Sequence, residues 1–163
     1  MFGAMSMSAA IQDTAGDPVP DLVPKIYAEI VSKAADRRFT RVTILYLDVK
    51  IRTRVAVTPQ TLAKLGCRLE IPRDSPKWAD LVAILRTEDV SETDRSSGEV
   101  RWGIQFYGNG NGSEDVKEVY FGPYYGPQSD GTRVFGYVDK VAVSFSAALP
   151  KKMDAYIQGT NCR

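Results

Sequence analysis

Residues 99–121, EVRWGIQFYGNGNGSEDVKEVYF, carry the clearest structural signal in the chain. Val100, Trp102, Ile104 and Phe106 recur at every second position, the period at which a strand turns one face to a core. The run Gly108-Asn109-Gly110-Asn111-Gly112 supplies turn residues, and Val116 to Phe121 returns as the partner strand. Together they read as an antiparallel hairpin. The glycines do not form a phosphate cradle: no Gly-Lys-Ser/Thr follows, no helix opens after them, and Glu114 and Asp115 would repel phosphate.

Working outward toward the N-terminus, residues 87–98 (TEDVSETDRSSG) read as an acidic, mobile loop too polar to pack. Before it, Ser75 caps a helix that opens with Pro76 and places Trp78, Leu81, Val82 and Leu85 on one face. Thr58, Pro59 and Gly66 mark the start and end of a short helix, and Cys67 to Ile71 a short strand. From Arg41 to Val57 apolar and polar residues alternate for seventeen positions, beyond the usual strand of about 3–10. A break near Asp48–Lys50 would give either a bent strand or a hairpin, and with no Gly, Pro or Asn there to turn the chain the bent strand is favoured. It would put Lys50, Arg52 and Arg54 in a row on the outer face. Upstream, Asp21 caps a helix with Leu22, Val23, Ile26, Tyr27, Ile30, Val31 and Ala34 at helical spacing.

Toward the C-terminus, residues 122–131 (GPYYGPQSDG) form a connection ending in the turn-favouring Asp130-Gly131. Thr132 to Phe145 gives one or two more strands, and Leu149, Met153, Tyr156 and Ile157 outline a last helix. The sum is an α+β fold: a mostly antiparallel sheet of about five strands with three or four helices packed on it. Residues 1–20 read as an N-terminal extension and 21–163 as a single domain.

Composition narrows the chemistry. The 163 residues are 44% hydrophobic and 25% charged, and the net charge is +1. There is no histidine, which removes Ser-His-Asp and Cys-His nucleophile systems along with the commonest general base and metal ligand. The chain is therefore expected to be non-enzymatic, without cofactor or metal. Cys67 and Cys162 read as two unrelated thiols in a reducing cytoplasm, the compartment assigned on this basis. No secretory leader is evident, and no run approaches the ~20 apolar residues of a membrane span, so no membrane partner is expected.

Charge is unevenly spread. Residues 21–73 hold eleven Lys/Arg against five Asp/Glu, and residues 88–118 hold eight Asp/Glu against three Lys/Arg. Glu88, Asp89, Glu92 and Asp94, with Tyr124 and Tyr125 of the Gly-Pro-flanked loop, are the candidate surface for a protein partner whose own surface is basic. The concrete form is a small bacterial inhibitor, an immunity protein whose acidic loop blocks the cleft of a toxin domain. The alternative is a nucleic-acid-binding domain using Lys50, Arg52 and Arg54 as a basic strand face, although the near-neutral total charge argues against it. The second alternative is a histidine-free enzyme or a small-ligand binder. It would use Asp48, Glu114, Asp115 and Asp139, or a pocket between sheet and helices.

Overall fold

In the computed structural model, residues 22–95, 98–109, 114–123 and 129–162 are described. They form four helices and seven strands in the order α1 (Leu22–Ala35), β1 (Phe39–Tyr46), α2 (Pro59–Leu65), β2 (Cys67–Pro72), α3 (Pro76–Arg86), β3 (Ser91–Glu92), β4 (Trp102–Asn109), β5 (Glu114–Phe121), β6 (Arg133–Val138), β7 (Val141–Ser146) and α4 (Ala148–Tyr156). All seven strands join one sheet in the order β2-β1-β4-β5-β6-β7-β3, and every pairing is antiparallel. The class is as the pattern implies, with seven strands in place of five.

The hairpin that opened the analysis is β4–β5, with Trp102 opposite Phe121 and Gln105 opposite Glu118. Its even-numbered residues on β4 face the helices. Trp102, Ile104 and Phe106 pack with Tyr46, Ile44 and Val42 of β1, with Val23, Tyr27, Ile30 and Val31 of α1, with Trp78, Leu81 and Leu85 of α3, and with Leu149 and Met153 of α4. Two buried hydrogen bonds fix the helix layer: the Tyr27 hydroxyl donates to the Leu85 carbonyl (2.8 Å) and Trp78 Nε1 to the Ala34 carbonyl (2.8 Å). Those donors would be costly to bury unpaired.

The caps of α2 and α3 are as expected. The Thr58 side chain accepts from the Thr61 amide and the Ser75 side chain from the Lys77 amide, each ahead of a proline in the first turn. Asp21, the expected cap of α1, lies outside the described residues.

Three expectations need correction. The first is the bent strand. β1 ends at Tyr46, and residues 47–58 leave the sheet as irregular chain. Alternation persists in sequence because Leu47 and Val57 are anchors of a second cluster, with Leu45, Leu62, Val100 and Tyr120, on the face away from α1, α3 and α4. The loop between them is held by Arg101, which is 6% exposed. Its guanidinium donates to the carbonyls of Asp48 (3.2 Å) and Ile51 (2.9 Å) and pairs with Glu99. Lys50, Arg52 and Arg54 are exposed on this loop, so they do not form a row on a strand.

The second correction is the acidic stretch. Its apolar member Val90 is buried in the main core, and Ser91–Glu92 forms β3 against Val143 and Ser144 of β7. It is an edge strand, where a loop was expected.

The third is the cysteine pair. Cys67, at the start of β2, is bonded to Cys162, just beyond α4, with Cα atoms 5.3 Å apart across 95 residues. The two cysteines are therefore not free thiols. Folding α4 back over the helix layer brings the tail to the β2 edge of the sheet, a non-local meeting that no spacing rule exposes.

Candidate functional site

The two faces of the sheet differ. One is covered by α1, α3 and α4. On the other, register sets side chains in rows: Glu70–Thr43–Gln105–Glu118 and Arg68–Leu45–Gly103–Tyr120–Tyr137. Gly103 stands where a side chain would strike the Tyr120 ring, since a Cβ there would lie 2.6 Å from it. The absence of that Cβ lets the ring lie flat across β4. The Tyr120 hydroxyl donates to Glu118 Oε1 (3.0 Å), and Gln105 Nε2 donates to both Glu118 (3.0 Å) and Tyr120 (3.1 Å). Tyr107 donates to Gln105 Oε1 (2.9 Å), and the Arg41 guanidinium stacks 4.2 Å above the Tyr107 ring. Burial, and then the Glu118 charge, push the Tyr120 hydroxyl far above the ordinary phenol range, so it remains a donor.

The chain from β3 to β4 crosses this face, with Arg95 stacked 4.5 Å from the centre of the Phe135 ring. Between that crossing, the start of α2 and the sheet lies a cleft of about 310 Å³. Val57, Pro59 and Val100 form an apolar side; Glu118, Tyr120, Tyr137 and Lys140 are contributed by β5 and the β6–β7 hairpin. Its size suits a small ligand. Sequence reasoning missed it because its parts come from four separate elements. The only local signal was the alternation placing Glu118 and Tyr120 on one face.

The acidic segment is organised by two cations. Arg133 donates to the Asp89 carboxylate (2.9 Å) and carbonyl (2.8 Å), and to the Ser144 carbonyl (2.7 Å). Lys152 of α4 pairs with Glu88 Oε1 at 2.9 Å. The Glu88 side chain is wholly buried, and its second oxygen, Oε2, has no hydrogen-bond partner among the described residues. It borders a cavity of about 410 Å³ between α1 and the α3–β3 turn, with Tyr27, Ser32, Arg86 and Val90 in the wall. Desolvation, and then the charge of Glu88, drive the Tyr27 hydroxyl far above the phenol range.

Of the residues expected to meet a protein partner, Glu88 is therefore buried, whereas Asp89, Glu92 and Asp94 are exposed. Asp89 keeps 82% of its side chain in solvent despite its tie to Arg133. Tyr124 and Tyr125 lie outside the described residues. The carboxylates considered for catalysis are dispersed. Asp48 accepts from the Lys50 amide in its own turn (2.8 Å). Asp115 and Asp139 both approach Lys117, at 3.8 and 3.3 Å; the Glu114 side chain is not among those described. No group of three or more Cys, Asp or Glu residues is placed to hold a metal ion among the described residues. No helix among them is long and apolar enough to cross a membrane. No protein-family model, curated protein or solved structure matches the chain.

Proposed function

We propose that this chain is a non-enzymatic protein-binding module, an inhibitor of the immunity-protein kind that occludes a basic surface on a toxin domain. One observation carries the reading: the acidic segment at the sheet edge is built on buried anchors, so its exposed charges are held in place before any partner arrives. Val90 is in the core, Glu88 is tied to Lys152, and Arg133 links Asp89 to β7. Glu92 and Asp94 stand exposed beside them. A surface ordered in advance loses little entropy on binding, and its field raises the encounter rate with a cationic partner.

The test is affinity capture from the native source with and without nuclease, followed by kinetics on the captured protein. A stoichiometric, nuclease-resistant partner is the expected result. Glu92→Lys with Asp94→Lys should slow association by about tenfold or more at low salt. An unchanged association rate would remove the acidic segment from the interface. Capture abolished by nuclease would favour nucleic acid. A chain that retains no macromolecule would turn attention to the cleft beside α2 as a small-ligand site.

A further inference from the structure

We infer that the loop leaving β1, residues 47–57, is a docking tip for an anionic lipid surface, separate from the acidic edge and from the reading just given. Four large hydrophobic residues are exposed among the described residues, and three belong to one stretch of chain: Ile51 (50% exposed), Val55 (70%) and Leu65 (60%). Scattered apolar residues on a surface are ordinary, but here they come with cations, and the loop itself carries a single carboxylate, Asp48. From residue 49 to residue 69 the sequence holds Lys50, Arg52, Arg54, Lys64 and Arg68 and not one Asp or Glu. Arg68 is engaged by Glu70 and Tyr107. Lys50, Arg52, Arg54 and Lys64 are exposed.

The tip is also firmly mounted. The Arg101 guanidinium holds the Asp48 and Ile51 carbonyls, the Asp48 side chain accepts from the Lys50 amide, and the Thr53 hydroxyl donates to the Val55 carbonyl. Leu47 and Val57 bury its two ends. The C-terminal end of α2, with Lys64 and Leu65, abuts the end of β1 where the loop departs: a Cβ on Gly66 would sit 3.1 Å from the Tyr46 carbonyl.

The chemistry of the side chains selects the partner. Cations attract any polyanion, so the apolar residues decide. Ile51 and Val55 are branched aliphatics, and no Phe, Tyr, Trp or His occurs between Tyr46 and Trp78. Single-stranded nucleic acid is gripped by stacking bases on planar side chains, which this loop lacks. An anionic bilayer offers both complements in the right order: phosphates at the surface for Lys and Arg, and hydrocarbon a few ångströms below for Ile51 and Val55. Apolar insertion and charge attraction add in such binding, and this loop offers both. The expectation of no membrane partner rested on the missing span; a surface contact needs none.

The experiment is co-sedimentation of the full, disulfide-bonded chain with phosphatidylcholine vesicles, with and without phosphatidylserine, and binding to a single-stranded DNA oligonucleotide in parallel. Binding to the phosphatidylserine vesicles alone, released by salt, is expected. Lys50→Glu/Arg52→Glu/Arg54→Glu should weaken it by at least about 100-fold, at about fivefold per cation removed. Ile51→Asn/Val55→Asn should weaken it by about tenfold or more with the charge intact. All five side chains are outside the core, so unchanged circular dichroism would show that both variants fold. Full binding by the Ile51→Asn/Val55→Asn variant, capture of the oligonucleotide in preference to vesicles, or no sedimentation with either vesicle would each overturn the proposal. None of these outcomes bears on the acidic edge, whose own test is partner capture.

Discussion

Arg37 ends α1 with φ of 55°, in the left-handed region that costs most side chains about 1–2 kcal/mol. The geometry is that of a helix closed by two crossed bonds, Arg38 N–H to the Lys33 carbonyl (2.9 Å) and Arg37 N–H to the Ala34 carbonyl (3.1 Å). Glycine is the usual occupant of that position because it has no Cβ to clash. Arg37→Gly should therefore raise stability by about 0.5–1 kcal/mol, a rise of a few degrees in melting temperature. The contact from Arg73 to the Arg37 carbonyl uses the backbone and survives the change. A lower melting temperature would show that the arginine side chain contributes more than its backbone strain costs. Cations suit the dipole at a helix C-terminus, which accounts for Arg37 and Arg38 just past Ala35, but that preference says nothing about φ.

At the level of elements, the parts legible in the sequence are those whose causes are local. Thr58-Pro59 and Ser75-Pro76 announce helices because the cap, the proline and the first turn are contiguous. The β4–β5 hairpin is legible for the same reason, and so is the turn at Asp130-Gly131. There the Asp130 carboxylate accepts from the amides of Arg133 (2.7 Å) and Thr132 (2.9 Å) and from the Thr132 hydroxyl (2.9 Å). Those bonds hold its pKa below the ordinary carboxylate range. A depressed folded-state value means that the turn's contribution is complete above the unfolded value and fades as pH falls through the folded one. The Thr132 and Arg133 amide resonances should therefore shift together on acidification below about pH 4, and Asp130→Asn should remove that titration. Amides that stay fixed down to global unfolding would contradict it. The β6–β7 turn was harder to see. Asp139 and Lys140 both take positive φ (45° and 73°) without a glycine, and Asp139 is latched to β5 through the Glu118 amide (2.9 Å). Residues 47–58 misled because Leu47 and Val57 are buried by a remote partner, the chain around Arg101, while keeping a strand's period. β3 was hidden because nothing in Ser91-Glu92 favours a strand; Val90 and the Arg133 contacts position it.

Across the whole molecule, the helix-covered face was foreseeable and the opposite face was not. Alternation tells which residues share a side of a sheet, yet not how far a loop, a short helix and a crossing segment will roof that side. The candidate site divides the same way: Asp89, Glu92 and Asp94 could be found as a charged run, but the burial of Glu88 and the cleft at Tyr137 and Lys140 depend on contacts between distant segments. The disulfide is the extreme case, joining residues 95 apart. In the chain-entropy description a ring of that length contributes about 4–5 kcal/mol, so Cys67→Ser should lower denaturation free energy by several kcal/mol. Equal urea midpoints with and without reductant would show that the ring adds nothing.

That ring also changes how the molecule would respond to force. Held by its two ends and pulled, the chain outside the ring — α1, β1 and α2 — can be drawn out, while everything from β2 to α4 is bypassed through the sulfur bridge. β1 lies between β2 and β4, so extracting it shears two ladders at once and leaves a gap in the sheet that the bridged remainder cannot unravel to fill. In a single-molecule extension trace the oxidised chain should come up short of the reduced one by about 330 Å, the reach of some 95 residues. The missing length is a ruler for the tether, readable one molecule at a time.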